Sequence, residues 1–177
     1  VRQSLVTLAQ DPTVMGDDPA ACGFVRARIR LEAPNYANIG VVGSDGIIAC
    51  SALPLVGQVS SADRDWFKEA VATRKFAIGS YQVGRVTGRR TVNAAYPVLD
   101  AAGEVRKVVF IAIELAWLNE LAADLRLPDG MAFLEVDRNG TVVARYPESE
   151  RYVGMDASAN ALAQAIRNGS VGTVRAL

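Results

Sequence analysis

Four consecutive residues, Arg64-Asp65-Trp66-Phe67, bring a guanidinium, a carboxylate and two aromatic rings together near the start of one expected helix. A planar guanidinium grips a carboxylate through two parallel hydrogen bonds. Rings beside it could wall an apolar pocket, and Tyr81 and Tyr96 could add hydroxyls. The same residues have a plainer reading. Trp66 and Phe67 could be core residues that fix the helix to a sheet, with Arg64 ion-paired to Asp63 or Asp65. The residues by themselves leave both readings open.

Composition removes most alternatives. The 177 residues contain no histidine and two cysteines. This excludes Ser-His-Asp and Cys-His nucleophiles, HExxH zinc sites and four-thiolate zinc sites. Paired-carboxylate hydrolysis needs an acidic pair in a suggestive context, and none stands out. No catalysis, metal or cofactor is therefore expected. Nineteen basic residues balance nineteen acidic ones, so nothing favours a phosphate backbone and no nucleic-acid partner is expected. Cys22 and Cys50 are either two separate thiols or one disulfide. A disulfide closing that loop would stabilise by about 3–4 kcal/mol on the chain-entropy view.

No run reaches the ~18 apolar residues that a bilayer-spanning helix needs. The longest, Val108 to Leu118, is interrupted by Glu114 and reads as a strand running into a helix. No leader stands at the N-terminus. A membrane protein of this kind would carry its anchors outside the given sequence.

The elements that must hold these residues follow from periodicity and turn chemistry. Val1, Leu5 and Leu8 share a helical face, followed by a Pro/Gly/Asp-rich break from Asp11 to Pro19. Ala20, Phe24, Ala27 and Leu31 predict a second helical piece over 20–32. Strands at 38–42 and 47–52 flank the tight turn Asp45-Gly46. Ser60 and Ser61 could cap a helix over 62–73, with Phe67, Ala70 and Val71 facing the core. Strands at 76–85, 89–99 and 104–114 form a meander, with connections too short for parallel crossovers. A helix over 115–125 carries Leu115, Leu118 and Leu121 or Ala122 on one stripe. A second hairpin, 133–144, turns at Asn139-Gly140, and a helix over 157–168 and a strand over 171–176 follow. This is an α+β architecture with an antiparallel sheet.

The segments Tyr36-Ala37-Asn38-Ile39, Asp45-Gly46-Ile47-Ile48, Asp63-Arg64-Asp65-Trp66-Phe67, Gly79, Thr87-Gly88, Tyr96-Pro97-Val98-Leu99-Asp100 and Gly103, in that order, resemble the double Cache (tandem PDC) sensor domain. Leu127-Pro128-Asp129-Gly130, Asp137-Arg138-Asn139-Gly140 and Val153-Gly154 resemble the start of its second module. The resemblance implies a PAS-like fold, with an N-terminal helical segment (1–32), a membrane-distal module (33–118) and a second module (119–177) whose sheet is incomplete. It implies the periplasmic, ligand-sensing part of an inner-membrane receptor whose output is a histidine kinase, a diguanylate cyclase or a chemoreceptor region. The membrane would be met only through flanking helices. A homodimer is expected, with the apolar face of residues 1–9 serving either the dimer or the domain itself.

Arg64, Trp66 and Phe67 match the Arg-x-Trp-aromatic motif of amino-acid-binding members. Those members also carry an acid on the last strand for the ligand ammonium. Ala112 stands at that place, and Glu114, two residues along on the same face, could replace it. Tyr81 lies close to the expected tyrosine. Amino-acid binding is therefore not carried over, and the favoured ligand is a carboxylate or another small anion. The alternative is a soluble PAS-like protein-interaction module without a small-molecule ligand.

Overall fold

The computed structural model describes residues 1–16, 22–25, 27, 35–128 and 130–168. Its first elements are α1 (Arg2–Gln10) and α2 (Pro12–Met15). The second was expected to be only a break. It forms because Asp11 caps it, accepting the Thr13 N–H at 2.8 Å, and because Pro12 takes a first-turn position where no N–H is required. Residues 22–25 and 27 are helical. There Val25 is buried and Ala27 exposed, so the buried face runs beside the expected Phe24/Ala27 stripe. Ala20, Leu31 and the expected strand at 171–176 lie outside the described residues. Cys22 is joined to Cys50 in a disulfide, with Cα atoms 5.1 Å apart.

Five strands form one antiparallel sheet in the order β2-β1-β5-β4-β3. They are β1 (Tyr36–Gly43), β2 (Ile48–Ser51), β3 (Ala77–Val83), β4 (Arg90–Leu99) and β5 (Val105–Glu114). The register sets the faces, because directly paired residues point the same way. Asn38, Ala112 and Asn93 lie in one row across β1, β5 and β4, and Gly40, Phe110 and Ala95 lie in the next. The helix α3 (Asp65–Thr73) covers this face with Trp66, Phe67 and Ala70. Trp66 is 1% exposed and stacks on Phe110 at a centroid distance of 5.3 Å. Truncating a core aromatic of this kind costs about 3–5 kcal/mol.

The opposite face presents Ile39, Val109, Ile111 and Ala94. Here α1 packs across β4 and β5. Leu5 and Leu8 are 0% and 2% exposed, so they are spent on the chain's own core and are not available to a dimer. Lys107 on β5 donates to the carbonyls of Val14 (3.2 Å) and Gly16, fastening the end of α2.

The start of α3 departs from expectation. Ser60 and Ser61 do not cap it. The Ser60 hydroxyl accepts from Ala62 N in a turn upstream, and Arg64 takes the N-cap position without a side-chain cap. Asp65 ties the helix to β3 instead, accepting from its neighbour Trp66 N (2.7 Å) and from Ser80 N (2.8 Å). A Cβ on Gly79 would stand 2.7 Å from an Asp65 carboxylate oxygen, so only glycine permits this approach.

The chain divides after Glu114 into two compact units. The second contains α4 (Leu115–Ala123), the hairpin β6 (Phe133–Val136) and β7 (Val142–Tyr146), a single-turn helix α5 (Ser149–Tyr152) that no sequence pattern announced, and α6 (Ala161–Arg167). In α4, Leu115 and Ala122 are buried but Leu121 is exposed, so the buried stripe bypasses Leu121. Asn119 accepts the Arg145 N–H of β7 at 3.0 Å.

Each unit builds the same local device. Gly46 and Gly140 turn their hairpins at φ 83° and 89°. Asp45 and Asp137 brace the turns by accepting backbone N–H groups. The two glycine carbonyls accept from Ser61 N and Ala157 N, just ahead of the following helix. Ile48 N and Val142 N donate to Val59 O and Met155 O.

Candidate functional site

A small, open cavity lies on the α3 face of the first unit, with a volume of about 30 Å³. Its floor is sheet: Asn38 from β1, Phe110 and Ala112 from β5, Asn93 from β4 and Gln82 from β3. Ile48 adds to one wall. Arg64 and Trp66 stand over the floor, and Ser61 with the turn Gly84–Thr87 completes the rim.

The polar floor is built into apolar strands. Asn38 is 2% exposed and satisfied, since its amide pairs with the Ser51 hydroxyl at 2.9 Å and its oxygen accepts the Ile39 N–H. Asn93 is 4% exposed and its oxygen accepts the Thr91 hydroxyl at 3.1 Å. Gln82 accepts the Trp66 indole N–H at 3.3 Å.

Two guanidinium groups border the cavity and differ in state. Arg85 grips Asp63 through bonds of 2.6 and 2.8 Å and donates to the Ser60 carbonyl. This hydrogen bonding lowers the Asp63 carboxyl to about 2 and raises Arg85. Arg64 makes one hydrogen bond, from Nη2 to the Val83 carbonyl at 3.3 Å. Among the described residues its guanidinium has no carboxylate partner within salt-bridge distance. Burial first, and then the charge of Arg85, push its pKa down. The nearby carboxylates of Asp63 and Asp65 act in the opposite sense without reaching ion-pair distance, so a half-buried guanidinium borders the cavity without a direct ion pair.

Of the six residues read from sequence, the structure brings Arg64 and Trp66 to this cavity. Phe67 lies in the core beneath α3, edge-on to Trp66 at 6.2 Å. Tyr96 pairs with Val109 and belongs to the opposite, α1-covered face. Tyr81 is on that face too, because a bulge between Ile78 and Tyr81 pairs it with Val92 and hands Gln82 the cavity side. Glu114 does share the Ala112 face but ion-pairs with Arg89 at 2.6 Å and does not line the cavity. Asn38, Gln82, Asn93 and Arg85 were missed. The two asparagines were visible as amides inside apolar strand runs, a pattern that marks buried polar design.

Among the described residues there is no group of metal-ligating side chains and no helix long and apolar enough to cross a membrane. The profile of the Cache domain family matches residues 21–175. The chain belongs to the Cache domain family. Cache domains are ligand-binding sensor modules, not catalytic ones, and form extracellular parts of membrane receptors that signal through kinases or chemoreceptor regions.

Sporulation kinase D of Bacillus subtilis is 29% identical over 103 residues, which is 58% of this chain and 20% of the kinase. The chain thus spans one fifth of that relative. The extracellular domain of rpHK1S-Z16, named as a histidine kinase, superposes with a TM-score of 0.74 at 17% identity, covering 96% of this chain and 78% of that one. The ligand-binding domain of the Pseudomonas fluorescens chemoreceptor CtaA, solved with L-serine, gives 0.70 at 17% identity, covering 89% and 66%. These structural likenesses establish the shared fold.

Proposed function

We propose that this Cache domain is the periplasmic sensor of an inner-membrane receptor and that it binds a small anion through Arg64. One observation carries the reading: the Arg64 guanidinium borders a concave, aromatic-walled cavity and has no carboxylate partner among the described residues. A bidentate carboxylate would supply the missing counter-charge, and Trp66 and Phe110 offer apolar walls. Solved relatives lend support, since the CtaA domain holds L-serine. The Cys22–Cys50 disulfide favours an oxidising compartment over the soluble, ligand-free interaction module.

The repeated turn device, Gly46 with Ser61 and Gly140 with Ala157, supports a tandem arrangement of two related modules. Relay of the signal follows from where the ligand sits. A ligand shifts a receptor only by as much as it prefers one state, about 1–3 kcal/mol in typical coupling. The strands β4 and β5 carry Asn93 and Ala112 on the cavity side and bear α1 on the other. Any movement of the floor is thereby passed to the N-terminal helix. The output, whether kinase, cyclase or chemoreceptor region, and a homodimeric state belong to this same proposal.

The test is a thermal-shift screen of small carboxylates on the chain and on Arg64→Ala. A ligand at a hundred times its Kd should stabilise the parent chain by about 2.7 kcal/mol. Arg64→Ala should lose that shift while keeping its unliganded Tm within a few degrees. An undiminished shift in the variant would place the ligand elsewhere.

A further inference from the structure

The cavity is too small to enclose an organic ligand as it stands. A cavity of about 150 Å³ admits a benzene-sized guest, whereas about 30 Å³ has room for little more than water. Enclosing a larger molecule requires a wall to move. The floor is held in place, because Asn38, Asn93, Phe110 and Ala112 belong to the paired strands β1, β4 and β5. Trp66 is held by the core beneath α3. The turn joining β3 to β4 is held in another way. Its residues Gly84, Arg85, Val86 and Thr87 line the cavity. It is braced within itself: Gly84 N donates to Arg89 O, Gly88 N to Gly84 O, and Arg89 N to the Thr87 hydroxyl. Its polar fastenings across the rim run to the segment ahead of α3. Arg85 grips both Asp63 carboxylate oxygens and donates to Ser60 O, and Arg64 donates to Val83 O at the foot of the turn. The Arg85 and Asp63 side chains are 43% and 58% exposed, and ion pairs so exposed hold weakly and yield to salt. Beneath them Val86, half-buried, rests on the core cluster around Trp66.

We propose, on the reading that this cavity is the binding site, that residues 84–89 form a flap over it, latched by Arg85 to Asp63 and to the Ser60 carbonyl, and that a ligand enters and leaves when the latch breaks. The flap moves as a unit because its own hydrogen bonds close it. Its feet stay anchored, where Val83 pairs with Arg90 and where Arg89 binds Glu114. Opening lifts Val86 off the core and lets solvent reach Trp66, which is 1% exposed in the latched state.

The experiment needs no ligand. The whole, disulfide-bonded chain is made with Trp117→Phe, a change in the second unit that leaves Trp66 as its tryptophan. Trp66 fluorescence is then quenched with acrylamide, a small neutral probe. Asp63→Asn should raise the quenching constant at least twofold while its melting curve stays cooperative. Sodium chloride at 1 M should raise the constant of the parent likewise and add little in Asp63→Asn. Glu104→Gln breaks a comparably exposed pair, with Arg74 at the other end of α3, and should leave quenching unchanged. Quenching unmoved by Asp63→Asn overturns the flap. An equal rise in Glu104→Gln also overturns it, because the effect would then be general loosening. If Asp63→Asn fails to fold, Arg85→Lys, which keeps the charge but loses the paired grip, should show the same rise. A parent constant insensitive to salt then counts against the latch. Arg64→Ala keeps the latch and should show the parent's salt response. A carboxylate screen that fails while this pattern holds removes the anion site and leaves the flap.

Discussion

Arg85 holds Asp63 with two hydrogen bonds of 2.6 and 2.8 Å, and that grip lowers the carboxyl from its ordinary 3.8 to about 2. The folded chain therefore keeps this carboxylate charged at pH values where the unfolded chain has taken up a proton. The pair's contribution is complete above 3.8 and disappears as the pH falls towards about 2. Both side chains are substantially exposed, so the effect is modest and screened by salt. Melting temperatures followed from pH 5 downwards should fall less steeply for Asp63→Asn than for the parent chain, and 1 M salt should shrink the difference. Parallel profiles at low salt would refute the assignment. At this scale sequence reasoning reached Arg64 and Trp66, because residue type announces both chemistry and size. It failed at Tyr81 and Tyr96, whose hydroxyls suited a pocket but whose faces did not. For Tyr96 the alternation was legible, since Asn93 and Tyr96 stand an odd number of places apart in one strand and point oppositely. For Tyr81 it was not, because a bulge depends on how two strands meet.

Among the elements, the helical stretch around Cys22 is linked covalently to β2. Closing a loop of this length stabilises by about 3–4 kcal/mol on the chain-entropy account. Cys22→Ser and Cys50→Ser should each lower the urea midpoint and make it insensitive to reductant, while reductant lowers the parent midpoint to match. A parent midpoint unmoved by reductant would show that packing, not the bond, holds this stretch. Strand positions were readable from the continuous apolar run within Val105–Glu114 and from the turn residues at Asp45-Gly46 and Asn139-Gly140. The single-turn helices Pro12–Met15 and Ser149–Tyr152 had no period to show. The first exists through Asp11 and Pro12, where a capping side chain outweighs an apparent breaker.

At the scale of the whole chain, the complete five-stranded sheet, its two covering helices and the cavity all fall within residues 1–114. A fragment of those residues should melt cooperatively by circular dichroism and retain an Arg64-dependent ligand shift. A fragment without a cooperative transition would show that the first unit cannot stand alone. The α+β class and the antiparallel order were accessible from strand spacing, since short connections forbid parallel pairing. The central place of β1, next to β5 rather than only β2, was not, because it is a long-range choice that no local pattern records. The unmatched guanidinium of Arg64 also has a consequence at the bench. On the proposed reading, acetate, formate and phosphate, themselves small anions, would compete for Arg64 when they serve as buffers. The free state of this domain is the one prepared in an uncharged or amine buffer with chloride as the counter-ion, and ligand screens should start from that preparation.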